Sequence, residues 1–318
     1  MKKYDVAALG ELLIDFTRNG ESDQGNGLFE ANPGGAPCNV LAMLQKLGKR
    51  TAFIGKVGQD MFGHLLQKVL QEAKIDTAGL CFDEKTNTTL AFVQKNESGD
   101  RDFSFYRNPG ADMMITEEDL REDILTDCRL FHFGTLSMTS QSARAATKKA
   151  VQLARQSGAC ISFDPNIRKP LWDSLLDAQE QTAYGMEQCD ILKISDDEAV
   201  WFTGIKDPAA AARKLWDQYQ IPLVLLSLGK DGSMAFCGGQ EVYVSAYPIE
   251  STVDTTGAGD TFMGCALSFV LEHGLELSEA QLTEMLSFAN AAAALITTRR
   301  GALRVMPKES EILQLSKG

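Results

Sequence analysis

Asp254-Thr-Thr-Gly-Ala-Gly-Asp-Thr-Phe262 runs straight into a helical apolar pattern: Phe262, Met263, Ala266, Leu267, Phe269 and Val270. Glycine at 257 and 259 permits positive φ and lets a ligand approach the main chain. The first turn of a helix leaves N–H groups without partners, and the macrodipole places positive charge there. The amides of Gly257, Ala258, Gly259 and Asp260 can then form a pocket for an anion, most naturally a phosphate. Asp260 would sit beside that anion as an ionised carboxylate, a poor phosphate ligand but a suitable base for a group attacking the phosphate. The competing reading is a tight turn with Asp260 as a helix cap. The run is not a dinucleotide fingerprint, because Phe262 holds the place of the third glycine, and the chain has no GxxxxGK[ST] loop.

With 318 residues, the chain can bury a large core. Hydrophobic residues make up 44% and charged residues 23%, the balance of an ordinary globular protein. A net charge of −12 argues against nucleic acid or an anionic membrane as a partner. The apolar run after Met1-Lys-Lys is too short for a signal peptide, and no stretch reaches ~18 apolar residues. Seven scattered cysteines without a CxxC pair suit the reducing cytoplasm. Three histidines without ligand spacing speak against a zinc site.

Strand-like and helical runs alternate along the chain. This predicts an α/β fold, with a mostly parallel sheet covered by helices on both faces. Strands are expected at Val6–Leu9, Thr51–Gly55, Leu130–Gly134, Cys160–Asp164, Asp190–Ile194 and Leu223–Ser227. Helices are expected at Val40–Leu47, Met61–Ala73 (capped by Asp60), Ser140–Gln156, Ser174–Gln188, Ser195–Phe202 and Glu279–Thr297, with another starting at Pro208. Leu12–Arg18 reads as extended, and Asn19–Gly27 as a polar loop. Thr88–Gln94 and Arg101–Arg107 read as a hairpin turning at Asn96–Asp100. One hairpin strand is apolar on both faces, so something outside the hairpin should cover it. The segments 11–30 and 87–113 interrupt the α/β rhythm and are expected to form a small β-sheet lid on one domain spanning 1–318.

Six ordered motifs resemble those of fructokinases in the ribokinase-like (PfkB) carbohydrate kinase family. They are Gly10-Glu-Leu-Leu-Ile-Asp15-Phe, Pro33-Gly-Gly-Ala-Pro-Cys-Asn39, Phe53-Ile-Gly-Lys-Val-Gly58, Phe105-Tyr-Arg-Asn-Pro-Gly-Ala-Asp112, Asp164-Pro-Asn-Ile-Arg168 and Asp254–Phe262. The resemblance covers essentially the whole chain. It implies a ribokinase-like three-layer fold and in-line attack of a sugar hydroxyl on the γ-phosphate of ATP, a reaction of positioning and charge stabilisation.

On that resemblance Asp260 is the catalytic base, and the amides of Gly257, Ala258 and Gly259 build the anion hole. The sugar side comprises Asp15, Gly34, Gly35, Asn39, Arg107 and Arg168. Structural alternatives stand beside these: a surface acid for Asp15, a plain turn for Pro33–Pro37, a cap for Asn39, and ion-paired arginines. Asp164 and Asn166 act behind the site or only shape the turn at Pro165. The nucleotide side comprises Ser227, Gly229, Gly232 and Asn290, with a simple Gly-rich turn and a surface polar residue as alternatives. Lys193 beside them either reaches a nucleotide phosphate or is a strand-end lysine. Glu198 is implied to hold Mg²⁺ through water, although Ser195 replaces the motif's asparagine and Ser195–Glu198 also fits a capping box. A potassium site is implied at Asp254, Thr256 and main-chain oxygens near Ile296, Arg299 and Gly301, with Val305 where a serine often contributes.

D-fructose, giving fructose 6-phosphate, is the leading substrate. A 2-keto-3-deoxygluconate kinase is the alternative, kept open by Arg107 and Arg168, and a ribokinase is a weaker one. A catalytically inactive sugar- or ATP-binding regulator is the reading from another class. The lid's apolar surface points to a homodimer through the lids.

Overall fold

Val6, Ala7, Ala8 and Leu9 are all fully buried, as a strand covered on both faces must be. They belong to β1 (Tyr4–Leu9), a strand in the interior of the large sheet. The computed structural model describes residues 2–95 and 101–317. After β1 come β2 (Leu13–Glu21), β3 (Gly27–Gly34), α1 (Ala36–Lys46), β4 (Thr51–Gly58), α2 (Met61–Glu72) and β5 (Asp76–Asp83). Then follow β6 (Leu90–Lys95), β7 (Arg101–Tyr106), α3 (Glu122–Thr126), β8 (Cys128–Gly134), α4 (Gln141–Gln156) and β9 (Cys160–Asp164). The third stretch holds α5 (Leu175–Gln188), β10 (Ile191–Ser195), α6 (Asp196–Thr203), α7 (Pro208–Tyr219) and β11 (Leu223–Ser227). The chain closes with β12 (Ser233–Cys237), β13 (Gln240–Val244), α8 (Ala258–His273), α9 (Glu279–Ile296) and α10 (Glu309–Lys317).

The large sheet has the order β13-β12-β11-β10-β9-β8-β1-β4-β5 among the described residues. Its strands pair in parallel except at the edge, where β12 and β13 run antiparallel. Alternate side chains of β1 feed two cores. Val6 and Ala8 pack with residues of α1, α2, α8 and α9, whereas Ala7 and Leu9 pack with α3, α4, α5 and α7. Helices therefore cover both faces, as the alternation predicted. β4 and β5 extend to one side of β1, and β8 to β11 to the other. Strand order thus reverses between β1 and β8, the place where such sheets open a crevice at their carboxyl ends.

The first helix begins at Ala36, four residues earlier than expected, because Pro37 is compatible with a helix's first turn. Ser140, Ser174 and Ser195 cap α4, α5 and α6 through side-chain oxygens, so the helix starts came out close to the prediction.

The two interrupting segments form one second sheet, ordered β3-β2-β6-β7. β2 pairs with β3 antiparallel and with β6 in parallel, opposing Asp15 to both Asn32 and Ala91. β3 was not expected; its Gly, Asn and Pro residues read as loop, and pairing with β2 overrides that local preference. The expected turn Asn96–Asp100 lies outside the described residues. β6 carries the run expected to need cover. Ala91 and Val93 are buried on one side, while Phe92 on the other stacks on Phe16 at 4.9 Å. Phe62 of α2 meets Phe16 edge-on at 5.7 Å.

Asp60 fastens this second sheet to the first. Its Oδ1 accepts from the amides of Phe62 (3.0 Å) and Gly63 (2.8 Å), capping α2. Thr88, leading into β6, donates its amide to Oδ2 (2.7 Å) and its hydroxyl to Oδ1 (2.8 Å). Burial alone would raise the Asp60 carboxyl, but these donors hold it below its usual value. A depressed carboxyl contributes stability above its unfolded pKa and loses it as pH falls through the folded value. Asp60→Ala should therefore cost about 1–2 kcal/mol in urea unfolding at pH 7. That cost should shrink below about pH 4. A cost that is constant down to acid pH would count against the carboxylate account.

Candidate active site

A cavity of about 710 Å³ opens at the carboxyl ends of the parallel strands. Glu11 follows β1, Leu136 follows β8, Asn166, Ile167 and Arg168 follow β9, and Ser195 and Ser227 end β10 and β11. The second sheet supplies Leu13, Asp15 and Phe105 from its inner face, with its aromatic residues Phe16 and Phe92 on the other. Gly257, Ala258, Gly259 and Asp260 form the floor where α8 begins.

Gly257 occupies the N-cap of α8 with φ 77°, a left-handed conformation that favours glycine. A side chain there would also meet Ala302 at 2.5 Å. The first i→i−4 bond of α8 is Thr261 N to Gly257 O, 2.8 Å. The amides of Gly259 and Asp260 therefore lack acceptors inside the helix, as expected for an anion pocket. Ala258 N is spent on Thr255 O at 3.3 Å, which leaves the pocket narrower than the four amides anticipated.

Asp260 is 9% exposed. Asn39, on the facing helix α1, donates Nδ2–H to its Oδ2 at 2.8 Å. Burial pushes the Asp260 carboxyl up to about 6; the Asn39 bond and the Lys193 and Arg168 charges oppose the rise, and Asp164 adds to it. The Asn39 Oδ1 is buried and has no partner among the described residues. A buried acceptor facing a cavity calls for a donor, and a substrate hydroxyl is one.

Lys193 on β10 is buried, and its Nζ lies 3.0 Å from Asp164 Oδ2. Burial alone would lower its pKa, but the Asp164 and Glu198 carboxylates reverse this, so the lysine keeps its charge. A Cβ at Gly259 would sit 3.0 Å from that Nζ, so glycine admits the ammonium beside the first turn of α8. The Asp164-Pro-Asn turn is fixed by Thr135, which donates its amide and hydroxyl to Pro165 O. Asn166 takes φ 44° there, a conformation asparagine tolerates better than most residues.

Of the anticipated sugar-side residues, Asp15, Gly35, Asn39 and Arg168 meet in the cavity. Gly34 lies behind Asp15, whose Oδ2 would be 2.3 Å from a Cβ on it. Arg107 does not reach the cavity. Its guanidinium donates to Asp112 (2.8 Å), Thr139 Oγ1 (2.8 Å) and Leu136 O (3.0 Å), a buried structural cluster that consumes its fork.

On the nucleotide side Lys193 and Ser227 line the cavity, whereas Gly229 and Gly232 do not. Gly232 (φ 114°) lets β11 turn into β12, since a Cβ would meet Val244 O at 2.2 Å. Asn290 braces α9 against β13, accepting from Ser233 Oγ (2.8 Å) and donating to Val244 O (3.0 Å). Glu198 lines the cavity and also completes the Ser195 capping box, while its other oxygen accepts from Ile167 N at 2.7 Å.

Asp254 organises the loop beneath the pocket. It accepts from Thr256 N (2.9 Å) and Gly301 N (3.1 Å), while the Val253 and Asp254 amides donate to Thr297 O. Ile296, Arg299 and Gly301 belong to this same layer; Arg299 N donates to Ile296 O at 3.0 Å. Among the described residues no group of three or more His, Cys, Asp or Glu side chains could hold a metal ion.

Sequence reasoning missed Glu11, Lys169 and Trp201 as cavity residues. Lys169 Nζ stands over the Trp201 ring at 5.4 Å. Glu11 carried a signal that went unused, an acid inside the apolar run from Leu9 to Ile14.

The buried Asp260 and the start of α8 face a cavity at the carboxyl ends of the parallel strands, where open α/β sheets hold their ligands. The chain matches the pfkB family carbohydrate kinase model over residues 3–309 and belongs to that family, whose members phosphorylate alcohol groups. It is 39% identical to probable fructokinase-4 of Arabidopsis thaliana over 321 residues, covering 100% of this chain and 98% of that one. Fructokinase from Xylella fastidiosa with bound ATP superposes with a TM-score of 0.88 at 29% identity, covering 99% and 98% of the two chains. A fructokinase double mutant from Vibrio cholerae O395, bound to fructose, ADP and potassium ion, gives a TM-score of 0.88 at 27% identity, covering 99% of each chain.

Carbon-13 NMR of side-chain carboxyls, with Asp260→Asn for assignment, should show Asp260 titrating near 6. A midpoint near the usual ~3.9 would contradict the desolvated site.

Proposed function

We propose that this chain transfers the γ-phosphate of ATP to D-fructose, giving D-fructose 6-phosphate and ADP. The observation that carries the reading is the buried Asp260, clamped by Asn39 at the mouth of an amide pocket, in a chain alike over its full length to fructokinases. In this mechanism a fructose hydroxyl rests against Asp260. Its oxygen attacks the γ-phosphorus as its proton passes to the carboxylate, and the bond to the bridging oxygen breaks to release ADP. An acid raised to about 6 is a stronger base than an ordinary aspartate yet remains mostly ionised at neutral pH. The Gly259 and Asp260 amides and the Lys193 ammonium offer charge stabilisation to the transferring phosphoryl group. Asp15 and the vacant Asn39 oxygen suit sugar hydroxyls, and Arg168 suits a hydroxyl or a phosphate oxygen.

ATP enters as its magnesium complex, in which Mg²⁺ neutralises phosphate charge. Glu198 fits a role toward that complex only through water, since backbone and hydroxyl donors already occupy its oxygens. Ser227, Gly229, Gly232 and Asn290 would act on the nucleotide by shaping the end of β11 and the loop beyond it. Asp254, Thr256 and the carbonyls near Ile296, Arg299 and Gly301 have the hard oxygen donors a potassium ion takes. A monovalent cation there would steady the loop under the anion pocket.

The second sheet serves as a lid, with its outer aromatic face as a dimer seam. Phe29 and Tyr106 remain 38% and 67% exposed there, which supports a second copy as occupant. A solution mass of one chain, 34.7 kDa, would contradict this. The seven unpaired thiols suit a reducing cytoplasm, and among the described residues no helix is long and apolar enough to cross a membrane.

The test is ADP release with Mg–ATP, with and without potassium, across fructose, 2-keto-3-deoxygluconate, ribose, glucose and adenosine. Fructose should dominate and potassium should raise the rate. A sugar acid needs a cationic partner for its carboxylate, and with Arg107 consumed by Asp112 only Arg168 of the two arginines lines the cavity. Turnover confined to the sugar acid would overturn the proposal, as would ATP binding without turnover on any sugar.

A further inference from the structure

We infer that Glu11 is a positioning residue for Asp260: it anchors the first turn of α1 and, through it, the Asn39 amide that clamps the Asp260 carboxylate. Glu11 is 6% exposed and stands where β1 ends. Its Oε1 accepts from Ala36 N, the first residue of α1, at 2.8 Å. The N-cap position of that helix is Gly35, which has no side chain to offer. Glu11 thus supplies from the link between β1 and β2 the cap that the helix lacks, and its charge suits a helix N-terminus. The main chains also touch, since a Cβ on Gly35 (φ 122°) would meet Glu11 O at 2.4 Å.

One turn on, Asn39 N donates to Gly35 O at 3.0 Å, and Asn39 Nδ2 reaches Asp260 at 2.8 Å. The relay from Glu11 to Asp260 therefore runs through a single helical turn. Lys193, Asp164 and Arg168 supply the charges that bear on Asp260 from β9, β10 and the loop after β9. Glu11 faces Asp112 and Arg107, with Cys38 of α1 beside it. Burial pushes Glu11 up to about 7, Asp112 adding and Arg107 subtracting.

The catalytic consequence rests on Asp260 being the base, but the positioning itself can be read without turnover. The side-chain carbon titration of Asp260 is measured in wild type, Asn39→Ala, Glu11→Gln, Glu11→Asp and the double variant Glu11→Asp/Asn39→Ala. Glu11→Gln keeps an acceptor oxygen for Ala36 and removes the charge. Glu11→Asp keeps the charge and withdraws the acceptor by one methylene.

Asn39→Ala removes a hydrogen bond to the ionised form, so the Asp260 midpoint should rise by roughly half a pH unit or more. Glu11→Asp should raise it part of the way, the double variant no further than Asn39→Ala alone, and Glu11→Gln hardly at all. With fructose, the acidic limb of kcat should move in step, about halving kcat at pH 6 for a half-unit shift. The inference fails if Glu11→Asp leaves the midpoint at the wild-type value. It also fails if the two shifts add in full, or if Glu11→Gln shifts the midpoint as far as Glu11→Asp. Normal titrations in a protein that ignores fructose would sink the substrate reading and leave the positioning role standing.

Discussion

A carboxylate taken out of water holds its proton more tightly until something in the protein compensates. Asp260 is in that position, and the side chain that bonds its carboxylate is a neutral amide, that of Asn39, rather than a lysine or arginine. The Lys193 ammonium is held by Asp164 and acts on Asp260 through its charge. A direct ion pair would have pulled the aspartate far down and made it a weak base. The amide leaves it raised yet ionisable near neutral pH. That balance depends on two helices standing at a fixed separation. Gly264 of α8 allows it, since a Cβ there would press on Met43 of α1 at 2.7 Å.

The remaining architecture can be understood as delivery to that point. The reversal of strand order between β1 and β8 opens the crevice, and the second sheet roofs it with Asp15 facing inward. The loop under the anion pocket touches the same sheet: Arg300 donates to Asn19 at 2.6 Å, and Gly301 packs near Asn32. Residues on the sugar side and the loop proposed to hold a cation are thus mechanically joined, though the exposed Arg300–Asn19 bond by itself is worth little.

Much of this was legible in the chain itself, for physical reasons. The parallel core declared itself through continuous apolar strands, and the helix starts through Ser and Asp caps whose hydrogen bonds are local. The Gly-Ala-Gly-Asp run announced the start of a helix with amides left over, because that signal lies within one turn. What escaped depended on partners distant in sequence. β3 has a loop-like composition and is a strand only because β2 lies beside it. Arg107 looked like a ligand until Asp112, Thr139 and Leu136 took its donors. Asn290 looked like a nucleotide contact and instead ties α9 to the sheet edge. Glu11 caps a helix 25 residues away, which no local pattern reveals.

The central claim is that Asp260 takes the proton of the attacking hydroxyl. Asp260→Asn keeps the shape of the side chain and removes its basicity. The most direct measurement is its kcat with fructose and Mg–ATP, alongside ATP affinity by calorimetry. The account predicts a fall in kcat of at least about 10²-fold with ATP affinity little changed. A variant that keeps most of the wild-type rate would contradict it.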